Sequence, residues 1–299
     1  MKKFTTTATP ISIKNIIAGI KSTFRKDSYI EEFGKQFANY IGSKYAFLVN
    51  SGTTAFYVIL KVLQRVSDKT EVIVPAYTAP VVILPIWKAG LKPVLCDISL
   101  DTFNMDISSL KNAISDNTLC VVPTHLFGLP CDIFSINELA EEKGIFVVED
   151  AAQAMGSKID GKMVGTISEL GFFSLGKGKN LSTYTGGVIV TERKDWAPLI
   201  KEEIQKLENP GIKSKMLNAF LLNGLAIAVQ PIVYGIFHLI LSKFKVLDIY
   251  YSFDAMRYTE FQAAVGISLL EQFPDFAKKR QQNGNFLYKS CKDIPGIRL

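Results

Sequence analysis

Histidine is scarce in this chain: His125 and His238 are the only two in 299 residues. The four cysteines, Cys96, Cys120, Cys131 and Cys291, each stand alone in mostly apolar surroundings, with no CxxC pair. A structural zinc or iron–sulfur centre needs clustered thiolate or imidazole ligands, so neither is expected, and the thiols read as reduced and buried. Such cysteine usage suits a cytoplasmic protein. There is no run of Lys and Arg interleaved with aromatics, although 34 basic residues outnumber 28 acidic ones. A nucleic-acid groove is therefore not expected, while the net charge of +6 suits an anionic ligand or an acidic membrane surface. The start, MKKFTTTATPISIKN, carries threonines where a secretory signal would carry an apolar stretch. Internal repeats and low-complexity linkers are missing as well.

What is present is the composition of a folded globular protein, 48% hydrophobic and 21% charged, long enough for one large core and a smaller second unit. From about residue 45, short apolar runs alternate with helical patterns: YAFLVN (45–50), EVIVPA (71–76), KPVLCDI (92–98), LCVVPTHL (119–126), IFVVED (145–150), LGFFSL (170–175) and GGVIVTE (186–192). This rhythm predicts an α/β fold, a mostly parallel sheet with helices on both faces. The character changes after about residue 195, where a charged helix gives way to an uncharged stretch from Met216 to Ser242. That stretch has the length of a membrane span but is interrupted by Asn218, Asn223, Gln230 and Pro231. Two helices broken at Pro231 and packed at an oligomer interface are expected, with a peripheral membrane contact as the alternative.

Ligands of open parallel sheets sit beyond the carboxyl ends of the strands, so the residues after each apolar run carry the functional signal. After YAFLVN comes Ser51-Gly52-Thr53-Thr54, either a plain helix N-cap or a cup whose glycine and free helix amides receive a phosphate. The run IFVVED ends in Glu149 and Asp150; alternation sends one carboxylate across the sheet and leaves the other at the ligand end, as a salt-bridge partner, an N-cap or a functional group. No second Asp or His stands at metal-ligand spacing. The run ending at Ser174 leads into a turn carrying Lys177 and Lys179. GFFSLGKG (171–178) has the glycine spacing of a P-loop, but Gly178 stands where the magnesium-binding Ser or Thr belongs, so a nucleotide triphosphatase is rejected. A phosphate cup, a carboxylate to keep a pyridine nitrogen protonated and a lysine able to form an imine are together what pyridoxal phosphate requires.

With these residues in view, the sequence resembles the DegT/DnrJ/EryC1/StrS family of sugar aminotransferases, which have the aspartate aminotransferase fold (fold type I). The resemblance rests on ordered blocks: NSGTTA (50–55), EVIVPAYT (71–78), KPVLCDISLDTFNMD (92–106), THLFGLPCD (124–132), VVEDAAQAMGSKIDGKMVGTISELGFFSLGKGKNLSTYTGGVIVT (147–191) and MRYTEFQAAVGISLLEQF (256–273). It implies that Lys179 forms the imine and moves the proton, because FSLGKGKNL aligns with the family's FSFxPxKNL. It implies further that Asp150 pairs with the pyridine nitrogen, that Gln153 lies near the phenolic oxygen, and that Gly52, Thr53 and Ser174 hold the phosphate. The implied reaction moves an amino group from glutamate to a keto-sugar linked to a nucleotide, in a homodimer with sites at the interface. Members that dehydrate sugars carry histidine at the place of Lys179, so lysine favours amino transfer. Other reactions on the same cofactor, or a scaffold kept for binding alone, are the alternatives.

Departures from the family pattern concern three places. Ala79 stands where an aromatic ring usually stacks on the cofactor, with Tyr77 as a candidate substitute. Ala255 stands where an asparagine reaches the partner's phosphate. The chain stops short of the family's usual length, which implies a large domain over 1–250, with an apolar helical insertion at about 213–245, and the start of a truncated small domain over 251–299; the chain is then a fragment or a reduced protein.

Overall fold

A computed structural model describes residues 9, 11–22, 28–228, 230, 233–234 and 252–296. Its centre is a seven-stranded sheet in the order β1 (Tyr45–Val49), β9 (Gly187–Thr191), β8 (Leu170–Ser174), β5 (Phe146–Asp150), β4 (Thr118–Val121), β2 (Glu71–Pro75) and β3 (Lys92–Cys96). A separate two-stranded hairpin joins β6 (Lys158–Ile159) to β7 (Lys162–Met163). Asp160 and Gly161 both have positive φ at its turn, the pairing that suits the twist of a tight hairpin.

All pairs in the sheet are parallel except those of β9, which runs against both β1 and β8. The alternation of strand and helix breaks there for a physical reason. Only a loop, not a helix, joins β8 to β9, and a connection that does not cross over returns antiparallel. As a result the carboxyl ends of β1, β5 and β8 and the amino end of β9 lie along one edge.

Period-two alternation sorts the strand side chains into two faces. Val49, Val72, Val74, Val148, Phe172 and Ile189 pack on one face under the helices α3 (Gly52–Leu63), α4 (Ile83–Lys88) and α7 (Trp196–Lys206). On the opposite face, Leu48, Phe173, Val188 and Val190 meet α2 (Tyr29–Ile41) and α9 (Glu260–Leu270), with α1 (Ile13–Ser22) laid against α9. Further along that face, Ile73, Val121 and Val147 meet α6 (Ile133–Lys143) and Leu110 of α5 (Ile107–Ala113). Both faces are covered, so the strands read as near-continuous apolar runs. Cys96, Cys120 and Cys131 are buried free thiols.

Of the apolar stretch 216–242, the first part belongs to α8 (Ile212–Ala228), whose Met216, Leu217, Phe220 and Ile227 are exposed. Most of the second part, including the break expected at Pro231, lies outside the described residues. Among the described residues, no helix is long and apolar enough to cross a membrane. Beyond residue 252, Tyr258, Ala263, Val265, Leu269 and Phe273 join the same core as α2, and α10 (Phe273–Cys291) follows.

Candidate functional site

At the edge where the strands end, a cavity of about 370 Å³ opens, and Gly52, Thr53, Asp150, Gln153, Ser174 and Lys179 all line it. Every site residue expected from the sequence is therefore gathered around one space. The rest of the wall is largely apolar, with Phe56, Phe172, Val81, Leu84 and Phe253.

The cup forms where β1 turns into α3. Ser51 is extended, with φ −160° and ψ 160°, and its side chain accepts from the Thr54 amide at 3.0 Å, so the plain N-cap role is real. It does not compete with anion binding, since the other first-turn amides of the helix have no acceptor within it. A Cβ at Gly52 would come within 3.1 Å of the Ser174 Cβ, so a glycine lets the end of β8 approach the helix start. Asn50 laces this turn to the segment before α9: its Nδ2 donates to the Asp254 carbonyl at 2.8 Å and its Oδ1 accepts from the Met256 amide at 3.2 Å. Ala255 of that segment is half-buried and packs against the core on the α3 face of the sheet.

The two carboxylates of β5 part as their alternation requires. Asp150 faces the cavity, with Oδ1 accepting from the Ala152 amide at 3.0 Å and the Thr124 hydroxyl also bonded to it. Burial pushes its pKa up; the Ala152 amide, Lys179 and His125 act in the other direction. Glu149 lies on the opposite face and is fully buried. Its Oε2 accepts from the Gly165 amide at 2.6 Å and from His125 Nε2 at 2.9 Å, and its Oε1 accepts from the amides of Ile167 and Ser168. The sequence offers no sign of this role for His125. Among the described residues no cluster of His, Cys, Asp and Glu could hold a metal.

Lys179 sits in the arch between β8 and β9, and burial lowers its pKa while Asp150 raises it. The arch is held at both ends. The Leu175 amide donates to the Gly186 carbonyl at 2.8 Å, the Thr183 amide to the Leu175 carbonyl at 3.0 Å, and Gln262 Nε2 to the carbonyls of Thr183 and Thr185, each at 3.1 Å. Gln153 lines the cavity, and its Oε1 accepts from the Phe127 amide at 3.2 Å. Ala79 lines the cavity too. Tyr77 does not take its place: its ring packs on Phe103 at 5.7 Å between centroids, outside the wall.

These residues fit pyridoxal phosphate on their own chemistry. A buried carboxylate in an apolar wall calls for a cation such as a protonated pyridine nitrogen. A lysine whose pKa burial lowers carries more of the free amine that attacks a carbonyl. The cup offers amides and hydroxyls to a phosphate.

Comparison with known proteins agrees. The family model described as the DegT/DnrJ/EryC1/StrS aminotransferase family matches residues 12–299. The GDP-perosamine synthase of Escherichia coli O157:H7 is 37% identical over 56% of this chain and 46% of its own length. The spore coat polysaccharide biosynthesis protein SpsC of Bacillus subtilis is 29% identical over 91% of this chain and 64% of its own. The chain thus spans about half to two thirds of the length of these curated relatives. The E. coli GDP-4-keto-6-deoxy-D-mannose-3-dehydratase, solved with bound hydrated PLP, superposes with a TM-score of 0.75 at 25% identity, covering 99% of this chain and 74% of that one.

Proposed function

Because the chain belongs to the DegT/DnrJ/EryC1/StrS aminotransferase family, we propose that it binds pyridoxal phosphate in this cavity and transfers an amino group from glutamate to a nucleotide-linked keto-sugar. The observation that carries the reading is the placing of Asp150 and Lys179 on one apolar cavity, each with its charged form disfavoured by burial.

When bound, the cofactor supplies an electron sink for the carbanion left by loss of the substrate's α-proton. The chain's residues do the rest. Lys179 would hold the cofactor through Nζ, and its amine would move the proton at the substrate carbon. Asp150 holds a proton on the ring nitrogen, and its surroundings make that pairing favourable, because a cation beside it restores the charge that burial opposes. Gly52, Thr53 and Ser174 would hold the phosphate, and Gln153 would bond the ring's phenolic oxygen. The apolar wall excludes water and so strengthens each of these electrostatic contacts.

A homodimer belongs to this reading, supported by the exposed Phe127, Leu129, Leu100 and Phe103 and by the exposed apolar side chains of α8. A cytoplasmic location is supported by the free thiols. The test is an absorbance spectrum of the purified chain with added pyridoxal phosphate. A visible band that requires Lys179 and is bleached by glutamate supports amino transfer; a wild-type chain that takes up no cofactor overturns it.

A further inference from the structure

Among the described residues, three charged side chains stand in the cavity wall: Asp150, Lys179 and Lys177. The first two are used by the proposed chemistry, and Lys177 is not. It lies on the same arch, two residues before Lys179, at the place where FSFxPxKNL carries proline. Its Nζ sits 4.9 Å from the centroid of the Tyr184 ring, a cation–π arrangement. Tyr184 also lines the cavity and holds φ at 72°, a left-handed conformation that is costly for an aromatic residue. Its amide donates to Ser182 Oγ at 3.2 Å, which helps hold that conformation. Among the described residues, no carboxylate lies within 4 Å of Lys177.

Lys177 is exposed at the border of an apolar cavity, seated on an aromatic face and, among the described residues, without an anionic partner, so its charge is available to an anion that enters the cavity. The amino donor brings one: the carboxylate bonded to the carbon whose proton Lys179 must reach. We propose that Lys177, seated on Tyr184, binds this carboxylate and so restricts the donor to α-amino acids. The assignment rests on the amino-transfer reading and deepens it, making Lys177 a specificity-determining residue and Tyr184 its positioning residue.

Glutarate, a dicarboxylate without an amino group, probes the contact without turnover. The full chain loaded with pyridoxal phosphate is titrated with glutarate by calorimetry, comparing wild type with Lys177→Met, Lys177→Arg and Tyr184→Leu. Lys177→Met is expected to weaken glutarate binding by about tenfold, with cofactor affinity kept within about twofold. Lys177→Arg keeps binding within about threefold of wild type, because the charge remains, and Tyr184→Leu falls between the two. In steady-state assays, Lys177→Met raises KM for glutamate more than it lowers kcat, while simple amines lose no further ground. Unchanged glutarate affinity in Lys177→Met overturns the assignment. So does a loss of cofactor affinity as large as the loss for glutarate, since the cation then serves the phosphate. Failure of the amino-transfer reading is seen separately, as a wild-type chain that forms no visible band, and it removes this assignment with it.

Discussion

His125 Nε2 donates to Glu149 Oε2 across 2.9 Å, with both side chains fully buried, one residue along the strand from the carboxylate that faces the cavity. The direction of the bond follows from the other ring nitrogen. Nδ1 accepts from the Cys131 amide at 3.2 Å, so the ring hydrogen sits on Nε2. Glu149 thereby gathers His125 and the amides of residues 165, 167 and 168 around one charge, tying the loop before β8 to the end of β5. These are the strands that deliver Asp150 and Ser174.

Removing that charge leaves three amides and an imidazole without their acceptor. Glu149→Leu is expected to destabilise the chain by at least about 3 kcal/mol, read from urea unfolding at neutral pH, because each buried donor left unsatisfied costs about 1–3 kcal/mol. A loss below about 1 kcal/mol would mean that water replaces the carboxylate, contrary to its full burial.

Under the proposed function, Lys179→Ala removes both the attachment point and the proton carrier. The visible absorbance band should vanish, and the rate of amino transfer should fall by at least about a thousandfold. Activity within tenfold of wild type would place the chemistry on another residue, Lys177 being the first to examine.

Asp150→Asn is expected to separate stability from function. Burial raises the folded-state pKa of Asp150, so its ionised form costs the folded chain stability, with no cost below the ordinary carboxylate range and the full cost above the raised value. Without cofactor, the asparagine variant should melt higher than wild type at pH 8, and the two curves should converge near about pH 4. Amino transfer should drop because the ring nitrogen loses its anionic partner. Differential scanning fluorimetry from pH 4 to 8 checks the first part; equal melting at pH 8 contradicts it.

Ala79 leaves a place in the wall where a ring can be added. Ala79→Tyr is expected to tighten cofactor binding by about three- to tenfold through stacking, as followed by absorbance titration. Weaker binding would show that Phe56, Phe172 and Phe253 already fill the space.

Much of this was legible in the sequence. The strand runs stand out because both faces of the sheet are covered, and the site residues stand out because they follow the strand ends. What was less visible has physical reasons. The reversal of β9 depends on a loop that joins two strands without a helix, which apolar periodicity does not report. The Asp160-Gly161 hairpin was missed although its turn residues signalled it. The role of His125 is not legible because its partners, Glu149 and Cys131, are brought to it by tertiary packing. Tyr77, the candidate substitute for the missing ring, packs instead on Phe103, a contact that sequence order does not report.

The reversed strand has a consequence for how such a site can change. Because β8 and β9 are neighbours in the sheet, the segment from Leu175 to Gly186 is a bridge with both piers fixed: Leu175 at the β8 end bonds Gly186 and Thr183, and at the β9 end a Cβ at Gly187 would run into the Ser51 carbonyl while Gln262 holds Thr183 and Thr185. Its span cannot lengthen or slip without moving Lys179; Leu175, Leu181, Ser182 and Thr183 anchor it in the interior, while Lys177, Lys179, Tyr184 and Thr185 line the cavity. Substrate preference can therefore drift by exchange of single residues on the bridge, as Lys177 and Tyr184 illustrate, while insertions and deletions there are barred.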